Sequence, residues 1–186
     1  MAQIGIVPDL VLPADVDEAP LKGELPADHA RRLADEKARV ACAHPQGQAL
    51  GPSALVLAAD TVVAAGRRIL PKPLSESEAR ACLDLLSGRR HRVMTAVTLA
   101  LADGTLRGRL ALTSVRFKRL QEAEIAAYLT SREWQGKAGG YAIQGLAAAF
   151  IPWISGSYSN VVGLPLAETR ALLEGAGYPA LGKTEP

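Results

Sequence analysis

The sequence is short of cysteine, of aromatic residues, of net charge and of long apolar runs, and each shortage closes off a class of explanation. Its two cysteines, Cys42 and Cys82, lie far apart and form no Cys-x-x-Cys pattern, so they read as small buried apolar residues in a reducing compartment. Aromatic residues make up only 4% of a chain that is 48% apolar, which leaves Ala, Leu and Val to build the core. With 21 basic and 19 acidic residues the net charge is +2, giving no general case for nucleic-acid or membrane partners. No apolar run of membrane-spanning length and no secretory leader is visible, which leads to the expectation of a soluble, cytoplasmic protein. No internal repeat or low-complexity linker divides the chain. Its 186 residues therefore read as one domain, residues 1–186, long enough for a proper core.

What is present is an alternation of helix and strand signals. Pro8, Pro13 and Pro20 break an acidic connector bearing Asp15, Asp17 and Glu18, acids that composition alone assigns to a solvated loop. Pro26 to Ala43 reads as a helix with an apolar stripe of Ala30, Leu33, Ala34 and Ala41. Lys37 falls in the middle of that stripe. It either snorkels to solvent or reaches into a cleft where its ammonium can hold an anion. After a loop over 47–53, Leu55 to Ala59 reads as a buried strand that ends abruptly at Asp60. A carboxylate there is costly to desolvate unless paired, metal-bound or facing a cleft, and open α/β folds place ligands at the carboxyl ends of strands. Asp60 is thus the leading candidate for chemistry; the alternative is a turn cap made with Thr61.

A tight excursion around Gly66 leads to Lys72, stiffened between Pro71 and Pro73, which suits a phosphate contact or a plain soluble turn. Ser75 to Ser87 is a second helix, with Ser75 and Glu78 as a capping box and Gly88 as its stop. Two strands, 93–101 and 105–117, join at Asp103-Gly104, a hairpin signal. His91, at the head of the first, reads as a satisfied structural residue rather than a base. A third helix covers Gln121 to Ser131. A glycine-rich stretch from Gly136 to Gly145 permits close backbone approach to a ligand. A further strand is expected over Leu146 to Ile154, and a last helix over about Leu166 to Glu174. Gly177 with Gly182-Lys183-Thr184 matches the phosphate-loop pattern, but a helix precedes it where a strand is needed, so the match is rejected.

Taken together, Ala59-Asp60-Thr61-Val62-Val63, Lys72-Pro73, Leu86-Ser87-Gly88 with His91, the run Lys137 to Gly145, and Gly156-Ser157-Tyr158-Ser159-Asn160-Val161-Val162-Gly163-Leu164-Pro165 occur in the order of one family. From about Gln3 to Gly177 the sequence resembles the Maf family of nucleoside triphosphate pyrophosphatases. The resemblance implies an α/β fold, a single Maf-like domain with a mixed, twisted sheet flanked by helices and a substrate cleft between two lobes. It implies hydrolysis of a nucleoside triphosphate to the monophosphate and pyrophosphate with a divalent cation, Mg²⁺ or Mn²⁺. It places the catalytic proton acceptor on Asp60, and substrate-binding roles on Lys37, Lys72 and Glu18. Thr61 and Gln144 resemble the branch acting on dTTP, UTP and modified pyrimidine nucleotides. Which residues hold the metal stays open, although Glu18 and Asp60 would suffice for Mg²⁺. A nucleotide is the expected partner, and a homodimer is implied by family analogy alone.

One departure stands out. Family members begin with a buried strand and a Ser/Pro/Arg-Arg loop that contacts phosphate and base, whereas Met1-Ala2-Gln3-Ile4-Gly5-Ile6 corresponds to the end of the helix that follows. Either the start was assigned too late, which the intact later motifs favour, or the chain is a truncated paralogue. Two functions follow: an active pyrophosphatase clearing unwanted pyrimidine nucleotides, or an impaired nucleotide-binding or cell-division regulatory protein.

Overall fold

A computed structural model describes residues 1–179; Gly182-Lys183-Thr184 lies outside the described residues. After a 3₁₀ turn at Ala2–Ile4 and an extended connector come α1 (Pro26–Ala43) and the short α2 (Pro45–Gln48). The hairpin β1 (Val56–Ala65) and β2 (Arg68–Leu70) leads to α3 (Glu76–Leu86). A long second hairpin, β3 (Arg90–Ala100) and β4 (Leu106–Arg116), is followed by α4 (Glu122–Ser131). The remainder is β5 (Trp153–Ser155), α5 (Tyr158–Val162) and α6 (Leu166–Glu174).

The helices form where period and caps agree. Pro26 opens α1 at a position where its missing N–H is no loss, and Asp28 sits favourably in the first turn. Its buried stripe is Ala30, Leu33, Ala34 and Ala38; Ala38, a turn earlier than expected, replaces Ala41. Three alanines at i, i+4 and i+8 let the helix lie close on β1 and β3. In α3 the Glu78 N–H donates to the Ser75 hydroxyl, and the Glu78 carboxylate accepts from the Leu74 N–H rather than from Ser75 itself.

The sheet order is β2-β1-β3-β4-β5, and among the described residues every pairing is antiparallel. The helix-flanked α/β arrangement is as expected, but the described strands do not form a mixed sheet. Two of the four pairings are tight hairpins, which can only be antiparallel, and no described crossover returns a strand in parallel. Helix α1 covers one face, over Val62 and Ala96. On the other face Val63, Val93 and Val115 pack on α3 and α4 with a cluster of edge-to-face aromatics, Phe117, Tyr141, Phe150 and Tyr128.

Two expectations need correcting. The strand does not stop at Asp60 but runs on to Ala65, still paired with β3. β-branched Val62 and Val63 continue the ladder, and a partner for the acid removes the need to end it. The run 146–154 is mostly a 3₁₀ turn, Leu146–Phe150, with strand only at Trp153–Ser155. Its alanines pack poorly on a pleated surface, and the 3₁₀ repeat brings Ala147 and Phe150 to the same buried side.

Candidate active site

Asp60 lies in the body of β1 opposite Ala96, and its neighbour Thr61 lies opposite Thr95. Consecutive strand residues face opposite sides of a sheet. Asp60 therefore points to α1 and Thr61 to the side of α5. Both can nonetheless serve one cavity, because β2 pairs only with Val63–Ala65. Among the described residues no strand pairs with β1 on that side at Asp60 and Thr61, so the two residues stand at the border of the sheet.

Four charged side chains meet there. The Lys37 ammonium, from the middle of α1, donates to Asp60 Oδ1 at 2.6 Å and to Glu18 Oε1 at 2.7 Å. Lys72, from the Pro71–Pro73 loop, donates to Glu18 Oε2 at 2.5 Å. The result is a continuous chain, Asp60–Lys37–Glu18–Lys72, alternating in sign. Asp60 is 5% exposed, and burial pushes its carboxyl above the ordinary aspartate range, a rise that the Lys37 ammonium limits. Burial opposes the charge on Lys37, but Asp60 and Glu18 outweigh it and hold the ammonium above its usual range. Burial likewise works against Glu18, yet the two lysines prevail and keep its carboxyl low.

Glu18 belongs to the connector whose acids composition assigned to solvent. That reading holds for Asp17, which accepts from the Ala19 N–H at 2.9 Å in a local turn. It fails for Glu18 because α1 anchors the connector. Arg32 donates to Glu24 Oε1 at 2.8 Å, to Glu24 Oε2 at 3.0 Å and to the Ala19 carbonyl at 3.1 Å, next to Glu18. Arg32 holds the Glu24 carboxyl down at about 2. Neither residue carries a sequence signal for this task, since the contacts span the connector.

A cavity of about 230 Å³ is lined by Lys37, Asp60, Thr61, Lys72, Lys137 and Gln144, among others. A larger, more apolar one of about 430 Å³ adjoins it, bordered by Glu18, Leu33 and Ile69 and sharing Asp60, Thr61 and Lys72. The expected site residues are therefore brought together, with Gln144 exposed on the rim. Lys137, at the head of the glycine run, joins them without a sequence signal of its own. Two glycines of the run, Gly139 and Gly140, serve packing, whereas Gly136 lines the cavity. Gly139, at φ +68°, would set a Cβ 2.8 Å from a Val63 methyl, and Gly140 would meet Pro73 at 3.1 Å. The Gly139 N–H also donates to the Pro71 carbonyl at 2.9 Å, clamping the Lys72 loop. His91 is absent from both linings; its Nε2 bonds the Tyr141 hydroxyl at 2.8 Å, and burial pushes its pKa down to about 4.

Among the described residues no three His, Cys, Asp or Glu side chains cluster as a metal cage. The donor set, two carboxylates bridged by an ammonium beside a cavity, fits instead a hard cation that arrives on phosphate oxygens and keeps part of its water shell. Chemically, the arrangement offers a buried, basic carboxylate for a water proton and lysines for several negative charges.

Comparison with known proteins agrees with this geometry. The model of the family described as Maf-like protein matches residues 1–176. The dTTP/UTP pyrophosphatase of Paramagnetospirillum magneticum is 61% identical over 179 residues, covering 96% of this chain and 90% of its own. That of Novosphingobium aromaticivorans is 59% identical over 177 residues, covering 95% of this chain and 85% of its own. That of Brucella abortus is 59% identical over 179 residues, covering 96% and 86%.

Proposed function

The chain belongs to the Maf family, and we propose that it is a nucleoside triphosphate pyrophosphatase acting on dTTP and UTP, and on modified pyrimidine nucleotides. The reaction adds water across the bond between the α- and β-phosphates. The water oxygen bonds to the α-phosphorus, the bridging oxygen leaves with the β-phosphate as pyrophosphate, and the nucleoside monophosphate remains. The observation that carries this reading is the Asp60–Lys37–Glu18–Lys72 chain at the mouth of a cavity that also holds Thr61 and Gln144. The names of relatives near 60% identity supply the substrate, and they lend nothing to the alternative of an impaired regulatory protein.

Asp60 takes the proton of the attacking water. Its buried carboxylate is more basic than a solvated one, which brings its proton affinity closer to what a general base needs. Lys37 and Lys72 are paired with acids in the free protein; a triphosphate offers them stronger anionic partners, and both swing or share their protons toward it. Glu18 keeps the two ammonium groups within reach of one ligand. Gln144, with both donors and acceptors, reads a pyrimidine edge. A Mg²⁺ or Mn²⁺ ion on the phosphates, held by Glu18 and Asp60, would neutralise charge there.

The deciding experiment is pyrophosphate release from dTTP and UTP in the presence of Mg²⁺ or Mn²⁺. Asp60→Asn keeps the shape but removes the base, and activity is expected to fall by about 10²–10⁴-fold. Equal activity in that variant sinks the mechanism; preference for a purine triphosphate sinks the substrate assignment.

A further inference from the structure

The Thr61 hydroxyl has a defined polarity, set from behind the cavity. Its Oγ1 lies 2.9 Å from Thr95 Oγ1 across the β1–β3 pair. Thr95 Oγ1 in turn lies 2.9 Å from the backbone carbonyl of Asn160. A carbonyl only accepts, so the single Thr95 proton must point to it; otherwise two oxygens would face each other at 2.9 Å with no proton between them. Thr95 then has only lone pairs left for Thr61. The Thr61 hydroxyl must therefore donate to Thr95, and Thr61 presents lone pairs alone to the cavity it lines.

The relay is rigid. Thr95 and Asn160 are both fully buried. The Asn160 carbonyl also accepts from the Gly163 N–H at 3.1 Å, and the Asn160 side-chain amide donates to the Val93 carbonyl at 3.1 Å and to Thr113 Oγ1 at 2.8 Å. Thr113 donates its own proton to the Ser157 carbonyl at 3.1 Å. Turning the Thr95 hydroxyl away from the Asn160 carbonyl would set two acceptor oxygens 2.9 Å apart with no proton between them in a fully buried site, which is expensive.

We propose that Thr95 is a positioning residue for base selection, locking Thr61 as an acceptor so that the cavity favours a ring N–H over a ring nitrogen lone pair. An acceptor-only hydroxyl repels phosphate oxygens, so Thr61 marks the base-facing part of the cavity and not the phosphate-facing part. Uracil and thymine carry a hydrogen on N3; cytosine has a lone pair there. The relay thus selects imide bases against cytosine. This inference rests on the pyrimidine nucleotide reading given above.

The test compares kcat/KM for UTP and CTP in the wild type, Thr95→Val, Thr95→Ala and Thr95→Ser. Losing the Thr95 hydroxyl frees Thr61 to turn its proton into the cavity and satisfy cytosine. The UTP/CTP ratio is expected to fall by about tenfold or more in Thr95→Val and Thr95→Ala. Thr95→Ser retains the relay and is expected to keep the ratio within about twofold. A parallel loss for both substrates, with the ratio unchanged, overturns the proposal, as does a serine variant that behaves like valine. Calorimetric binding of UMP and CMP to the same proteins separates the two levels. A wild type that releases no pyrophosphate yet prefers UMP, with the preference lost in Thr95→Val, removes the enzymatic reading and leaves the relay standing. A wild type that does not distinguish UMP from CMP removes the relay.

Discussion

At Asp60 burial and a neighbouring charge act against each other on one side chain. Burial raises the carboxyl above the ordinary value of 3.8, and the ammonium of Lys37 at 2.6 Å holds the rise in check. A base must be ionised to act, so the acid limb of the pH profile of kcat/KM is expected above the range of a solvated aspartate. Lys37→Met removes the opposing charge and leaves the carboxyl buried. The limb should then move further to alkaline pH while the plateau falls by about 10²-fold or more, as for loss of one preorganised charge partner. Measuring kcat/KM against pH for both proteins checks this; an unshifted limb would assign the proton acceptor elsewhere. Lys37 itself was open between snorkelling and reaching into a cleft, because a stripe position says only that the stem is buried. The geometry of two carboxylates on separate segments, Glu18 and Asp60, decides it.

Among the elements, helix limits were legible and strand limits less so. Pro26–Ala43, Glu76–Leu86 and Leu166–Glu174 follow from a 3.6-residue apolar period with Pro or Ser at the start, signals that are local to the chain. The extent of β1 was not, since Asp60 looks like a stop until its partner on α1 is known. Nor was the use of the glycine run. Gly139 and Gly140 approach Val63 and Pro73, so they hold the Lys72 loop against β1 instead of cradling a ligand. Gly139→Ala must place a methyl at φ +68° and 2.8 Å from a Val63 carbon. A loss of about 1–3 kcal/mol in denaturant unfolding is expected, with a weakened KM from the displaced Lys72. Unchanged stability would show that the loop does not lean on β1.

For the molecule as a whole, acid should be the destabilising direction. The folded-state pKa of His91 is lowered to about 4 by burial, so between about 6.5 and about 4 the unfolded chain binds the proton and the folded one does not. Stability from the neutral imidazole is therefore present above 6.5 and lost as pH falls through this window. Glu24, held at about 2 by Arg32, extends the loss to lower pH, since its contribution is present above 4.5 and disappears toward 2. Thermal midpoints measured from pH 7 downward should fall across the upper window, and His91→Phe should flatten that part of the curve. A variant with the wild-type slope would remove His91 as its cause. No described helix is long and apolar enough to cross a membrane.

The sequence alone determined the four long helices, the hairpin at Asp103-Gly104, the family and the identities of Asp60, Lys37, Lys72, Thr61, Gln144 and Glu18 as residues to watch. Those are matters of local period, cap chemistry and motif order, which one segment of chain carries by itself. Only the tertiary structure decided that Glu18 joins two lysines, that Arg32 and Glu24 hold the connector in place, that Gly139 and Gly140 pack, and that Thr95 sets the polarity of Thr61. Each of those depends on a contact between segments far apart in the chain, and hydrogen-bond direction and desolvation exist only once both partners are in place.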